Sequence, residues 1–326
     1  DGCPRGRSRL EQRRRINGSP RRARGRMSKI APVAILGAGE IGSGWAALFA
    51  SYGAEVRIVD PAPHALDRAR EALACARTLR KGAQGGRIVR AANAADAVRG
   101  AGWVQESVPE GLVLKRMVFA SLEGVLPPNA IVASSTSTLG ATVLGEGRTF
   151  ASRLLVAHPF YPVYAVPVIE LCGGRETTQA TIAHAAETLR LVGREPIVVH
   201  REVPGLVANR LTAALLREAL DLIAQGAIGV RDLDHLVSRG IATGWATRGP
   251  LSTELAGSGA STLDEFLKDA EGPMAALLAS LADWRTMPPW GREALRRATQ
   301  GATPMPGECE WAATLDRVVK AAESGG

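Results

Sequence analysis

Val33-Ala34-Ile35-Leu36-Gly37-Ala38-Gly39-Glu40-Ile41-Gly42 joins a short apolar run to a glycine-rich turn, and the next apolar run, 55–59, is closed by Asp60. Gly37 permits a tight turn, Gly39 lets the backbone approach a pyrophosphate, and Gly42 allows a helix to pack closely on a strand. The helix that begins there, through Trp45, Ala46 and Leu48, aims its positive end at a diphosphate, with Glu40 and Ile41 in its first turn. Asp60 lies 23 positions after Gly37. A carboxylate at that strand end accepts hydrogen bonds from both hydroxyls of an adenosine ribose and repels a 2′-phosphate. The following Pro61-Ala62-Pro63-His64 brings no cation to offset the repulsion. The turn therefore reads as a site for NAD rather than NADP.

Outward from the turn, short apolar runs alternate with Ala- and Leu-rich helical stretches up to about residue 200, as a parallel α/β sheet requires. Strands are expected at 33–36, 55–59, 103–106, 130–134, 153–157 and 196–199, with helices such as 65–79 and 114–122 between them. The pattern changes at Pro204-Gly205. Beyond it, 206–224 carries Val207, Leu211, Leu215 and Leu222 at helical spacing, and 230–239, 261–268 and 273–281 also read as helices. The expected fold is α/β: a parallel-sheet NAD-binding domain over residues 27–202, then an all-α domain over residues 203–326.

The 326 residues, 46% of them hydrophobic, suffice for two domain cores, and no apolar run approaches a membrane span. The formal charge of +8 is local. Residues 1–26 hold ten arginines against Asp1 and Glu11, and the remainder balances at 30 basic and 30 acidic residues. This Arg-rich leader, poor in apolar residues, is expected to be disordered and to precede a start at Met27. The rest of the chain has no basic excess that would point to nucleic acid. Cys3, Cys75, Cys172 and Cys309 show no C-x-x-C pair, which argues against a zinc site or a disulfide framework and fits a reducing cytoplasm. The five histidines lack H-E-x-x-H spacing, so no metal is expected.

A second constellation carries the chemistry: Ser134-Ser135-Thr136-Ser137-Thr138-Leu139, His158-Pro159-Phe160-Tyr161-Pro162, Val168-Ile169-Glu170, and Val203-Pro204-Gly205-Leu206-Val207-Ala208-Asn209-Arg210. A histidine just past a strand can sit at the carboxyl edge of the sheet, where a nicotinamide belongs. Imidazole suits the proton of a secondary alcohol because its pKa lies near the working pH. Glu170 can hold the other ring nitrogen, and Ser137 and Asn209 offer neutral hydrogen bonds to an oxygen whose charge changes.

These stretches, together with Glu106-Ser107-Val108-Pro109-Glu110 and Lys115, resemble the 3-hydroxyacyl-CoA dehydrogenase superfamily over about residues 31–265. The resemblance implies a Rossmann-like domain joined to a helical domain that forms a homodimer. It implies His158 as catalytic base, Glu170 as its partner, and Ser137 and Asn209 on the substrate oxygen. Glu110 and Lys115 would line the cofactor pocket, and Asp60 would hold the ribose. The segments around His158 and Val163-Tyr164, with Trp245, are similar to the branch acting on free hydroxy acids, which includes carnitine and gulonate (lambda-crystallin) dehydrogenases. The short interval after Asp60, although basic through Arg68, Arg70, Arg77 and Arg80, favours a small substrate over an acyl-CoA or carrier-bound one. A non-catalytic, crystallin-like NAD-binding role is the reading from a different class. Two positions depart from the family: Tyr161 stands where asparagine is usual, and Gly244 where the free-acid branch carries arginine. Arg248 is then the candidate cation for a substrate carboxylate. Phe160, Tyr161, Tyr164 and Trp245 are the rings available to a quaternary ammonium.

Overall fold

β1 (Val33–Leu36) is buried on both faces, as four consecutive apolar residues require, and it lies inside an eight-stranded sheet. The computed structural model describes residues 30–80, 85–260, 262–299 and 306–324. The other strands are β2 (Glu55–Val59), β3 (Arg87–Arg90), β4 (Trp103–Glu106), β5 (Ile131–Ser134), β6 (Leu154–Pro159), β7 (Val168–Gly173) and β8 (Glu195–Val199). Their order is β3-β2-β1-β4-β5-β6-β7-β8, and every neighbouring pair is parallel except β6 and β7. Strand order reverses between β1 and β4, so a crevice opens at their carboxyl ends, where doubly wound sheets bind ligands.

Two apolar layers cover the sheet. On one face Ala34, Leu36, Val104, Val132 and Val156 pack with Phe119, Leu122 and Phe150 in a continuous buried cluster. On the other, α1 (Glu40–Ser51) is buried from Gly42 to Ser51, and its Trp45 and Phe49 stack on each other and pack at a tilt against Trp103 of β4. The indole N–H groups keep partners there: Trp45 donates to Ser135 Oγ at 3.1 Å and Trp103 to Gln105 Oε1 at 2.9 Å. Further helices are α2 (Ala65–Leu79), α3 (Ala94–Val98), α4 (Leu112–Ala120), α5 (Ala141–Gly145) and α6 (Gln179–Leu191).

After β8 the described residues hold helices only: α7 (Ala208–Ala224), α8 (Val230–Leu236) continued by a π-helical turn (Val237–Ile241), α9 (Ala242–Arg248), α10 (Pro250–Gly257), α11 (Leu263–Ser280), α12 (Pro289–Thr299) and α13 (Glu308–Ser324). Among them no helix is long and apolar enough to cross a membrane.

The structure departs from the sequence expectation at several points. The sheet is mixed, because β7 runs antiparallel to β6. β3 was not expected: Arg-Ile-Val-Arg is short and polar at both ends, as an edge strand with one buried residue, Ile88, can be. In place of the two helices expected at 261–268 and 273–281 there is one, α11 (Leu263–Ser280), which runs through Pro273 and forgoes a single backbone bond there. Cys75 of α2 and Cys309 of α13 are disulfide-bonded across a separation of 234 residues, which corrects the expectation drawn from their spacing. That pairing exists only because α13 folds back on α2. Cys172 is free and buried. The Arg-rich leader, with Met27, lies outside the described residues.

Candidate active site

The glycine turn is built as its spacing demands. Gly37 has φ +88°, a left-handed conformation that disfavours any side chain, and a Cβ there would sit 2.7 Å from the Ser107 carbonyl carbon. A Cβ on Gly42 would collide with the Gly37 carbonyl oxygen, so this glycine sets the approach of α1 to β1. Gly39 differs, since a Cβ there would meet nothing within 4 Å. Open space above a bare peptide at the start of a helix fits the close approach of a pyrophosphate. Asp60 lies beside it, accepting from Ala38 N and Ala62 N at 2.7 Å each, so its carboxylate is fixed against the glycine turn. Glu40 and Ile41 open α1 at the same mouth.

The arginines after Asp60 are engaged with the protein itself. Arg68 donates to the Ala38 carbonyl at 3.2 Å, Arg77 to Gly86 O at 2.9 Å, and Arg80 to Ser51 O at 3.1 Å while lying over the Tyr52 ring. Arg70 pairs with Asp67 at 3.8 Å. Arg90, which the sequence did not single out, donates to the Asp60 carbonyl at 2.7 Å.

Behind the crevice, Lys115 is almost fully buried and ties three segments together. Its Nζ lies 2.8 Å from Glu106 Oε1, 3.1 Å from Val108 O and 3.4 Å from Glu110 Oε2. Glu110 in turn accepts from Thr136 Oγ1 at 2.6 Å and Thr138 N at 3.1 Å, which anchors the loop carrying Ser137. Partial burial raises the Glu110 carboxyl, but the donors from Thr136 and Thr138 and the Lys115 charge outweigh it and leave the carboxyl below its ordinary range. Glu106, buried completely and also bonded to Ser134 Oγ, is the hub that sequence reading passed over.

His158 and Glu170 face each other across the antiparallel β6–β7 pair, where they are register partners. Opposed residues of antiparallel strands present their side chains to the same face, and here His158 Nδ1 meets Glu170 Oε2 at 2.8 Å. Both are nearly excluded from solvent. The second Glu170 oxygen accepts from Val207 N and Ala208 N, each at 3.0 Å, at the amino end of α7. The turn that aims those N–H groups is unusual, with Gly205 at φ +80° followed by Leu206 at φ +52°. A left-handed leucine costs about 1–2 kcal/mol and persists only where its surroundings enforce it. One residue later Asn209 donates to Ser137 O at 3.4 Å, so the strand-end serine, the dyad and the first turn of α7 meet at one place. The second ring nitrogen of His158 and the Ser137 hydroxyl have no protein partner among the described residues.

The loop after β6 continues the site. Phe160 stands 6.0 Å from the His158 ring, and the Tyr161 ring meets Trp311 of α13 at 5.5 Å. Tyr164 donates to Glu308 Oε1 at 2.8 Å, and the Tyr161 hydroxyl faces the same carboxylate. Burial first, and then Glu308, push the Tyr161 phenol up to about 12. Neither Glu308 nor Trp311 carries any local sequence signal, since both lie some 150 residues from the loop they meet. Trp245 is half-buried on α9, and Arg248 is exposed at the end of that helix. Among the described residues no hydrogen bond or ring contact joins either one to His158.

The geometry now has relatives. Residues 32–203 match the family described as 3-hydroxyacyl-CoA dehydrogenase, NAD binding domain. The chain is 40% identical over 261 residues to an L-carnitine dehydrogenase of Streptomyces coelicolor, covering 77% of this chain and 82% of that protein. It is 36% identical over 247 residues to an L-carnitine dehydrogenase of Pseudomonas putida, covering 74% and 77%. Among solved structures it is similar to 5-formyl-3-hydroxy-2-methylpyridine 4-carboxylic acid 5-dehydrogenase, an NAD-dependent dismutase, with a TM-score of 0.78 and 32% identity over 91% of this chain and 100% of that one. The chain is therefore an NAD-dependent hydroxy-acid dehydrogenase that belongs to the 3-hydroxyacyl-CoA dehydrogenase superfamily, on the branch of the L-carnitine dehydrogenases.

Proposed function

We propose that the protein interconverts a small free 3-hydroxy acid of the carnitine type and its 3-keto form. The observation that carries this reading is the His158–Glu170 contact, locked from behind by the amino end of α7. Glu170 occupies the Nδ1 side of the ring, which leaves Nε2 to take the proton of the substrate hydroxyl. The imidazolium formed is stabilised by Glu170, whose own charge is held by two backbone N–H groups at a helix amino end. Ser137 and Asn209 steady the oxygen as it becomes a carbonyl. NAD, when bound, supplies the hydride acceptor; Gly37, Gly39, Glu40, Ile41, Gly42, Asp60 and Glu110 would hold it, with Lys115 bracing Glu110 from below.

The commitment of Arg68, Arg77 and Arg80 to backbone carbonyls supports a small substrate, because those side chains are not free to clasp a coenzyme A tail. Arg248 is the candidate for the substrate carboxylate. Residues 27–202 would then form the NAD-binding domain and residues 203–326 the substrate and homodimer domain. The test is His158→Gln, followed at the NADH absorbance with L-carnitine and other free hydroxy acids. Turnover should fall by roughly 10²–10⁴-fold while NADH binding persists. Near-normal turnover in that variant would overturn the assignment of the base.

A further inference from the structure

α13 comes back from the far end of the chain to place one carboxylate and one indole on the loop that follows the reactive histidine. Glu308, its first residue, receives the Tyr164 hydroxyl at 2.8 Å and faces that of Tyr161. Trp311, one turn on, lies against the Tyr161 ring at an interplanar angle of 47°, an open wedge rather than a stack. Tyr161, Trp311 and Glu308 are all only partly buried, so ring faces and carboxylate stay within reach of a ligand. The cluster is built on the loop that leaves the reactive histidine: Tyr161 is three residues past His158 in the chain and follows Phe160, whose ring stands 6.0 Å from that of His158. Tyr164, buried, braces Glu308 from beneath.

Such a group of surfaces has a specific chemistry. Electron-rich faces of Trp and Tyr attract a cation that cannot donate hydrogen bonds, and an adjacent carboxylate adds charge attraction without requiring contact. A primary ammonium or a guanidinium would instead seek oxygen acceptors at hydrogen-bond distance. The buried Tyr164 commits its hydroxyl to Glu308, while the partly exposed rings of Tyr161 and Trp311 leave faces for a ligand beside that carboxylate.

We propose that Tyr161, Trp311 and Glu308 form the seat for the quaternary ammonium end of the substrate, with α13 as the element that confers this specificity. The proposal rests on the carnitine-type reading above and assigns its cationic end to residues outside the sheet. It also gives the phenol at position 161 a purpose, since an asparagine there would offer no ring to the wedge. The Cys75–Cys309 bond, next to Glu308 in sequence, fixes the amino end of α13 on α2 and so keeps the seat assembled.

The experiment compares L-carnitine with its uncharged isostere, in which a tert-butyl group replaces trimethylammonium, by kcat/KM in the intact protein. The unaltered enzyme should prefer the cation by at least tenfold. Glu308→Gln, which keeps an acceptor for both tyrosines, should reduce that preference about tenfold, and Trp311→Leu should reduce it several-fold. As a check needing no variant, γ-butyrobetaine, which lacks the reactive hydroxyl, should compete with substrate far better than its own tert-butyl isostere. Equal inhibition by the two, or an unchanged preference in Glu308→Gln, overturns the seat. An enzyme that oxidises the isostere and refuses carnitine overturns the seat while sparing the hydroxy-acid reading. One that oxidises neither, yet reduces other 3-keto acids, removes both the seat and the carnitine-type reading.

Discussion

The sheet and the carboxyl-terminal helices of this protein are stabilised in opposite ways. β1, β4, β5 and β6 are buried along their whole length, and α1 is buried for ten consecutive residues. In contrast, α7 buries one side chain, Leu220, and α8 through α11 bury none. Leu211, Leu215 and Leu216 of α7, and Leu267, Met274, Leu277 and Leu278 of α11, lie exposed. The helical half is fastened by a few specific contacts: Glu170 on the α7 amino end, Asn209 on Ser137, Glu308 on Tyr164, and one disulfide. The difference teaches that the nucleotide half completes its own core, whereas the helical half is held to it through a few polar contacts and leaves apolar side chains exposed.

The largest effect should come from breaking the interior of the sheet half. Lys115→Met leaves Glu106 charged and unpaired in a site closed to solvent, so stability should fall by about 3–5 kcal/mol in denaturant titration. Leu277→Ala, on an exposed helical face, should cost the isolated chain no more than about 0.5 kcal/mol. Comparable losses for the two would erase the contrast between the halves.

Next comes the bare helical surface. If α7 and α11 pair with another copy, Leu215→Glu with Leu277→Glu should weaken self-association by roughly 10²-fold or more, read by sedimentation, since buried charge is strongly opposed. NADH affinity should hardly change, because the glycine turn and Asp60 belong to the other half. A protein already monomeric at high concentration would show that these faces remain open in solution.

The smallest effect lies within the sheet half, at the loop that carries Ser137. Glu110 has a carboxyl held below its ordinary value of 4.5, so its contribution to stability is present above that pH and is lost as pH falls through the lower folded value. The stability difference between the unaltered protein and Glu110→Gln should therefore be constant near neutrality and shrink only below about pH 4.5. A difference that persists unchanged into strong acid would mean that Glu110 acts through its shape and not its charge.

Much was legible from local pattern because local constraints decide it. The glycine spacing, the apolar run before it and Asp60 after it describe a turn whose sterics are settled within some thirty residues, and Gly37 and Gly42 are indeed where no side chain fits. β1 declares itself as an unbroken apolar run, and β2 as an alternation of Val56 and Ile58 with half-buried neighbours, which is why both were placed to the residue. β3 escaped because an edge strand needs only one buried side chain, and β7 was not expected as a strand at all, because the charged Glu170 interrupts its short apolar run and its pairing, antiparallel to β6, is a non-local contact. The sequence alone thus determined the cofactor turn, the choice of NAD and the residue types for moving a proton. Only the tertiary structure decided that His158 and Glu170 are cross-strand partners, and that the start of α7 supplies the donors behind them. It also decided that a helix some 150 residues away brings Glu308 and Trp311 to Tyr161 and pairs Cys309 with Cys75. These are contacts between surfaces, set by how buried area and hydrogen bonds are satisfied across the whole chain, and no window of sequence contains them.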